Sequence, residues 1–191
     1  MNWGFHDNRF PELCSGKSFI FAKAYFSDCI VSSVLIEACR RTLDFIDSGL
    51  NVCILGPSDS GKSYLAKAIG IVACNNYKVE YHHCESLLEA LVALKVQDYS
   101  KYQKRLKRIC GATLLILDDF LLHTITDERE VKILFEILEK RCEINLSTII
   151  CSQREPASWS SMILNDEVSA NAILKRATKH YTVVIKPKMT T

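Results

Sequence analysis

A chain of 191 residues, with 48% apolar residues, 24% charged residues and a net charge of +2, has the size and composition of one globular domain with a substantial core. That balance excludes disorder. It is also too near neutral for composition to announce nucleic-acid binding, so any basic surface must be local. The nine cysteines, Cys14, Cys29, Cys39, Cys53, Cys74, Cys84, Cys110, Cys142 and Cys151, are odd in number and form no CxxC pair. Cys53 and Cys151 lie in apolar runs, where a free thiol acts as a small hydrophobe. A reduced, cytoplasmic setting is expected in place of a disulfide framework. The start, MNWGFHDNRFPE, lacks a charged segment followed by an apolar one, so no secretory signal is expected. The apolar stretches are too short, or too broken by charge, to cross a bilayer.

In chain order, residues 1–20 are mixed in composition and read as a loose arm, with one domain over 21–191. An amphipathic helical stretch, DCIVSSVLIEACRRTLDFIDSG, runs up to Gly49, a helix stop. Five β-like runs follow: 51–56 (NVCILG), 78–84 (KVEYHHC), 113–119 (TLLILDD), 146–153 (LSTIICSQ) and 181–187 (YTVVIKP). Most are apolar with little alternation, the pattern of strands covered on both faces. SYLAKAIGIVAC, SLLEALVAL and EREVKILFEILEKRCEI give helices after the first three. Alternating strands and helices predict an α/β fold: a five-stranded parallel sheet flanked by helices, with right-handed crossovers.

Residues 56–63, GPSDSGKS, satisfy GxxxxGK[ST] between a strand and a helix, the context a phosphate-binding P-loop requires. Gly56 and Gly61 allow the turn that aims backbone N–H groups at one point, and the helix adds its partial positive end. Pro57, Ser58, Asp59, Ser60 and Tyr64 complete the candidate nucleotide-binding stretch. Lys62 would reach the terminal phosphates of ATP and the Ser63 hydroxyl would ligate Mg²⁺. Asp59 is unusual. A carboxylate residue tolerates a left-handed turn, and its repulsion of phosphate across solvent is about 1 kcal/mol or less. Affinity is weakened and not abolished, unless Asp59 simply caps the next helix.

TLLILDD brings two acids to the end of a buried strand. Asp118 would hold the magnesium shell near Ser63, and Asp119 would orient a water for in-line attack. In sheets of this class a further strand lies between the loop strand and the acid strand. TIICSQ is the candidate, placing Ser152 or Gln153 to sense the terminal phosphate at the carboxyl edge. The segment YSKYQKRLKRIC carries Lys101, Lys104, Arg105, Lys107 and Arg108 with two tyrosines; it is either a solvated helix face or a patch for DNA phosphates.

GPSDSGKSYLAKAIG, LLILDDF, LFEILEKR, STIICSQREPASW and AILKRATKHYTVVI, in that order, resemble the IstB-like ATPases. These are AAA+ proteins that help insertion-sequence transposases and are related to DnaC-type helicase loaders. The likeness runs from about Asn8 to Ile185. It implies phosphate and magnesium contacts at Lys62 and Ser63 and an acidic pair at Asp118 and Asp119. It also implies that Arg176 is presented to a neighbouring subunit's nucleotide, where a guanidinium stabilises transition-state charge. Trp159 and His180 match family positions and are expected to pack. Some positions depart from the pattern. Gln153 stands at the usual sensor Asn and Leu121 where a glycine tends to follow LLILDDF. The region ahead of the loop is short, and KPKMTT replaces a Gly-x-Ser-x-Arg-like ending.

The leading expectation is an ATPase that assembles on DNA as a homo-oligomer and regulates a transposase, with phosphate contacts at 101–108, Lys95 and Lys175–Lys179. A replicative helicase loader is the alternative on the same fold. A remnant that binds nucleotide without hydrolysis would account for Asp59 and the shortened ends. A small-molecule kinase would need an arginine-rich lid that the sequence does not display.

Overall fold

Alternation along the central strands decides which helical layer each side chain serves, because successive residues of a strand point to opposite faces. The computed structural model describes residues 43–163, 167–177 and 180–185. The expected arm and most of the first amphipathic stretch lie outside them. The elements are α1 (Asp44–Asp47), β1 (Val52–Leu55), α2 (Lys62–Ala73), β2 (Val79–His83), α3 (Cys84–Gln97), α4 (Tyr99–Cys110), β3 (Leu114–Asp118), α5 (Glu128–Glu143), β4 (Ser147–Ser152), α6 (Pro156–Trp159), a 3₁₀ turn (Ser160–Met162), α7 (Glu167–Ala177) and β5 (Tyr181–Val184).

The sheet is parallel with order β2-β3-β4-β1-β5. β4 therefore lies between the loop strand and the acid strand, as the sequence pattern implied. Cys53, Leu55, Leu115, Leu117 and Ile150 face one core with residues of α3, α4, α5 and α7. Ile54, Leu114, Ile116, Ile149 and Cys151 face the other, packed with Ile46 of α1 and Ala66 and Ala73 of α2. Such two-sided burial explains the unbroken apolar runs of β3 and β4. It does not extend to the edges. β2 alternates, and every residue of β5 is exposed, so the expectation of strands covered on both faces holds only for the centre of the sheet.

The helix ends are marked by charge and capping. Asp98 accepts the Lys101 N–H at the start of α4 (3.0 Å) and Asp127 accepts the Arg129 N–H at the start of α5 (2.8 Å). Gly49 closes α1 at φ +64, where a Cβ would meet the Asn145 carbonyl oxygen at 2.3 Å. Arg141 joins the layers. Its guanidinium is buried and donates to the carbonyls of Ile109 (3.2 Å), Cys110 (3.1 Å), Ala112 (2.7 Å) and Ser147, and to Thr148 Oγ1 (3.0 Å). The first two are end carbonyls of α4, which carry the partial negative charge of the helix dipole. The described cysteines are free thiols, and no described helix is long and apolar enough to cross a membrane.

Candidate nucleotide site at the carboxyl edge of the sheet

Between β1 and α2 the chain turns through two left-handed residues, Asp59 at φ +58 and Gly61 at φ +91. Asp59 thus occupies the conformation that a short polar side chain tolerates best. It does not cap α2, whose N-cap is Gly61 with no side-chain bond; its carboxylate accepts from Ser58 Oγ at 3.5 Å. A Cβ at Gly56 would lie 2.7 Å from both the Ile185 carbonyl oxygen and Ser60 Oγ, so only glycine passes there. At Gly61 the space is open, as a loop that admits a ligand against its backbone requires. Ser60 Oγ is buried and has no hydrogen-bond partner among the described residues, a polar group of the kind a phosphate oxygen would satisfy. Lys62 is also buried, and its Nζ donates to the Pro57 carbonyl at 2.5 Å, folding the ammonium across the loop. Tyr64 follows on the first turn of α2, half buried.

Facing the loop, the fully buried Asp118 ends β3. Its Oδ1 accepts from Ser63 Oγ and from the Asp119 N–H, each at 3.0 Å, and its Oδ2 accepts from Tyr81 Oη at 2.5 Å. Burial first, then the bond to Asp118, push the Tyr81 phenol far up, so it remains a donor. Because the Ser63 proton points to Asp118, the hydroxyl lone pairs are left for another partner. Asp119 leaves the strand at φ +53, which turns its carboxylate to the half-open edge. There Oδ2 lies 3.0 Å from His83 Nδ1. One donor atom from each of His83, Asp118 and Asp119 falls within 4.8 Å of the others. Of these, the Asp118 and Asp119 carboxylates and the nearby Ser63 hydroxyl are hard oxygen donors suited to a divalent cation beside a phosphate.

Of the other residues singled out in the sequence, Gln153 follows β4 at the same edge, half buried. The fully buried Ser152 hydroxyl is engaged within the fold: it donates to the Phe120 carbonyl (2.8 Å) and accepts the Arg154 N–H (3.1 Å). Arg176 is engaged within the same chain by Glu139, by the Ala172 carbonyl (2.8 Å) and by the Phe135 ring. The basic segment is divided. Arg108 is paired with buried Glu80 (2.8 Å), and Lys101 pairs with Asp98 (3.2 Å). Arg105 is half buried, while Lys104 and Lys107 are exposed. Glu80 lies near the start of β2, so the end of α4 belongs to the sheet edge opposite the loop. Trp159 is buried against Phe120, with Nε1 donating to the Arg154 carbonyl at 3.0 Å. His180 Nδ1 accepts the Asn51 N–H at 2.9 Å. Sequence reasoning missed His83 and Tyr81. The available signal was the paired histidines at the end of a strand run, but only the register, which sets His83 opposite Asp118, brings them to the acids.

A family model described as "IstB-like ATP binding protein" matches residues 31–188. The chain belongs to that family. Its relatives include an insertion sequence IS232 putative ATP-binding protein of Bacillus thuringiensis subsp. berliner, 35% identical over 75% of this chain and 56% of the relative. Another is a putative insertion sequence ATP-binding protein of Sinorhizobium fredii, 39% identical over 70% of this chain and 52% of the relative. The chain thus spans about half the length of the curated relatives it matches. Among solved structures, the IstB-like chain resembles AMPPCP-bound DnaA from Aquifex aeolicus (TM-score 0.65, 24% identity, 78% of this chain and 44% of that one). It also resembles the DnaC helicase loader (TM-score 0.60, 21% identity, 82% and 91%). At these identities the likeness is one of fold: a parallel sheet with its flanking helices.

Proposed function

We propose that this IstB-like protein binds and hydrolyses ATP with Mg²⁺, assembles on DNA as a homo-oligomer in the cytoplasm, and regulates a transposase. The observation that carries the reading is the bond between Ser63 and Asp118, which joins the phosphate loop to the acid strand across the intervening β4. A P-loop serine held by a strand-end aspartate is the arrangement expected around a nucleotide-bound cation.

In this reading the loop amides and the N-terminus of α2 take the phosphates. Lys62 exchanges the Pro57 carbonyl for a phosphate oxygen. Ser63 and Asp118 hold the metal, which neutralises phosphate charge when bound. Asp119 orients the attacking water, and Gln153 stands at the same edge to contact the terminal phosphate. Delivery of Arg176 to a neighbour's nucleotide requires exchange of its pair with Glu139, which would link subunit contact to hydrolysis. Lys104 and Lys107 provide exposed charge for DNA phosphates.

Calorimetry with Mg–ATP and turnover assays with and without duplex DNA test this. Lys62→Ala is expected to remove nucleotide binding. Asp119→Asn should keep binding while lowering turnover by about 10²-fold or more, the usual cost of losing a positioned polar group. Equal turnover in Asp119→Asn and the parent protein would remove that residue's role, and absence of Mg–ATP binding by the folded parent would remove the function.

A further inference from the structure

Tyr81 reaches the acid pair from within the sheet. The parallel register sets Tyr81 opposite Ile116 and His83 opposite Asp118. Tyr81 therefore stands two residues short of Asp118 on the same face, a gap that a long side chain spans. Its Oη donates to Asp118 Oδ2 at 2.5 Å. A serine or threonine at that register could not reach, and a phenylalanine would bring no donor.

The half-buried ring is held on several sides. It packs against the core that contains Ala66, Ile116 and Cys151, and the His83 ring meets it edge-on with centroids 5.6 Å apart. From α2, Lys67 places its Nζ 5.1 Å from the ring centroid, an attraction between a cation and an aromatic face. Lys67 lies one helical turn beyond Ser63, so both belong to one side of α2.

The consequence falls on Asp118. Its side chain is fully buried, and its two oxygens have separate tasks. Oδ1 accepts from Ser63 Oγ and from the Asp119 N–H, each at 3.0 Å, while Oδ2 accepts from Tyr81. Without the phenol, Oδ2 would lose a charge-assisted bond inside the fold, and the carboxylate would be freer to turn. Ser63 would then lose the fixed acceptor that engages its proton and keeps its lone pairs available.

We propose that Tyr81 is a positioning residue for the nucleotide-bound cation: by gripping Asp118 Oδ2 it fixes the carboxylate whose Oδ1 orients Ser63. This rests on the nucleotide-binding reading above and names the side chain that tunes metal affinity there. Removing an outer partner of this kind typically costs about tenfold or more in metal affinity.

Calorimetry of the full chain with the ATP analogue AMPPCP, repeated over a series of free Mg²⁺ concentrations, tests the role. Tyr81→Phe keeps the ring and its packing and removes only the hydroxyl. It is expected to raise about tenfold the Mg²⁺ concentration at which the metal strengthens binding. Affinity measured in EDTA should stay at the parent value. Asp118→Asn should also raise the Mg²⁺ requirement, and adding Tyr81→Phe to it should shift it no further, because the phenol acts through that carboxylate. Circular dichroism shows that each variant is folded. An unchanged Mg²⁺ requirement in Tyr81→Phe overturns the proposal and leaves the nucleotide reading standing. So does equal weakening with and without Mg²⁺, or a double variant whose shift is the sum of the two. Absence of AMPPCP binding by the folded parent at any Mg²⁺ concentration overturns the inference together with the reading it rests on.

Discussion

Leu121 has φ +51 and a side chain that is 3% exposed. An L-residue with a branched apolar side chain is strained in that region by about 1–2 kcal/mol. The chain keeps leucine because its side chain joins the core shared with Leu117, Phe120 and Ile163, so burial offsets strain. Leu121→Gly loses the burial but relieves the backbone. Its cost in unfolding free energy is expected to be about 2 kcal/mol or less, below the 2–5 kcal/mol typical of a core Leu→Ala change. Leu117→Ala, in a strand interior, serves as the comparison in chemical denaturation. An equal or larger loss for Leu121→Gly would show that the backbone there is not strained.

Among the elements, α4, α5, β4 and the loop leading into β3 are tied through one side chain. Arg141, near the end of α5, has its buried charge solvated by carbonyl oxygens and the Thr148 hydroxyl. Burial holds its guanidinium down to about 10, still charged at neutral pH. Arg141→Met would strand several buried carbonyls and is expected to destabilise the domain by about 3 kcal/mol or more. Arg141→Lys should recover only part of this, since an ammonium cannot reproduce the planar fork. Thermal unfolding of the two variants checks the order. If lysine matched arginine, the fork geometry would be irrelevant.

For the whole molecule, the Glu80–Arg108 pair links β2 to α4 beneath the site and makes stability depend on pH. Burial raises the Glu80 carboxyl, but hydrogen bonds from His82 and Arg108 outweigh it and hold it below its ordinary value of 4.5. A carboxyl lowered on folding contributes stability that is present above its unfolded value and lost as the pH falls through the folded one. Glu80→Gln should therefore cost about 1–3 kcal/mol at neutral pH and flatten the loss of stability below about pH 4.5. Denaturant midpoints measured across that range give the slope; an unchanged acid limb in the variant would place the titration elsewhere. The same pairing explains why a run of cations in the sequence is not one continuous surface. One of them is needed inside the fold.

Local pattern determined a great deal here. Two glycines and GKS between a strand and a helix specify the loop, and the apolar run of TLLILDD specifies a buried strand tipped with acids. Strand and helix alternation specifies the parallel sheet, because these signals depend on residues close together in the chain. Tertiary structure alone decided the rest. Strand register set His83 and Tyr81 beside the acids, and packing committed Ser152 to Phe120, Arg108 to Glu80 and Arg176 to Glu139. A polar side chain's role depends on which partner lies within hydrogen-bond reach once the chain is folded, and those partners are mostly dozens of residues away.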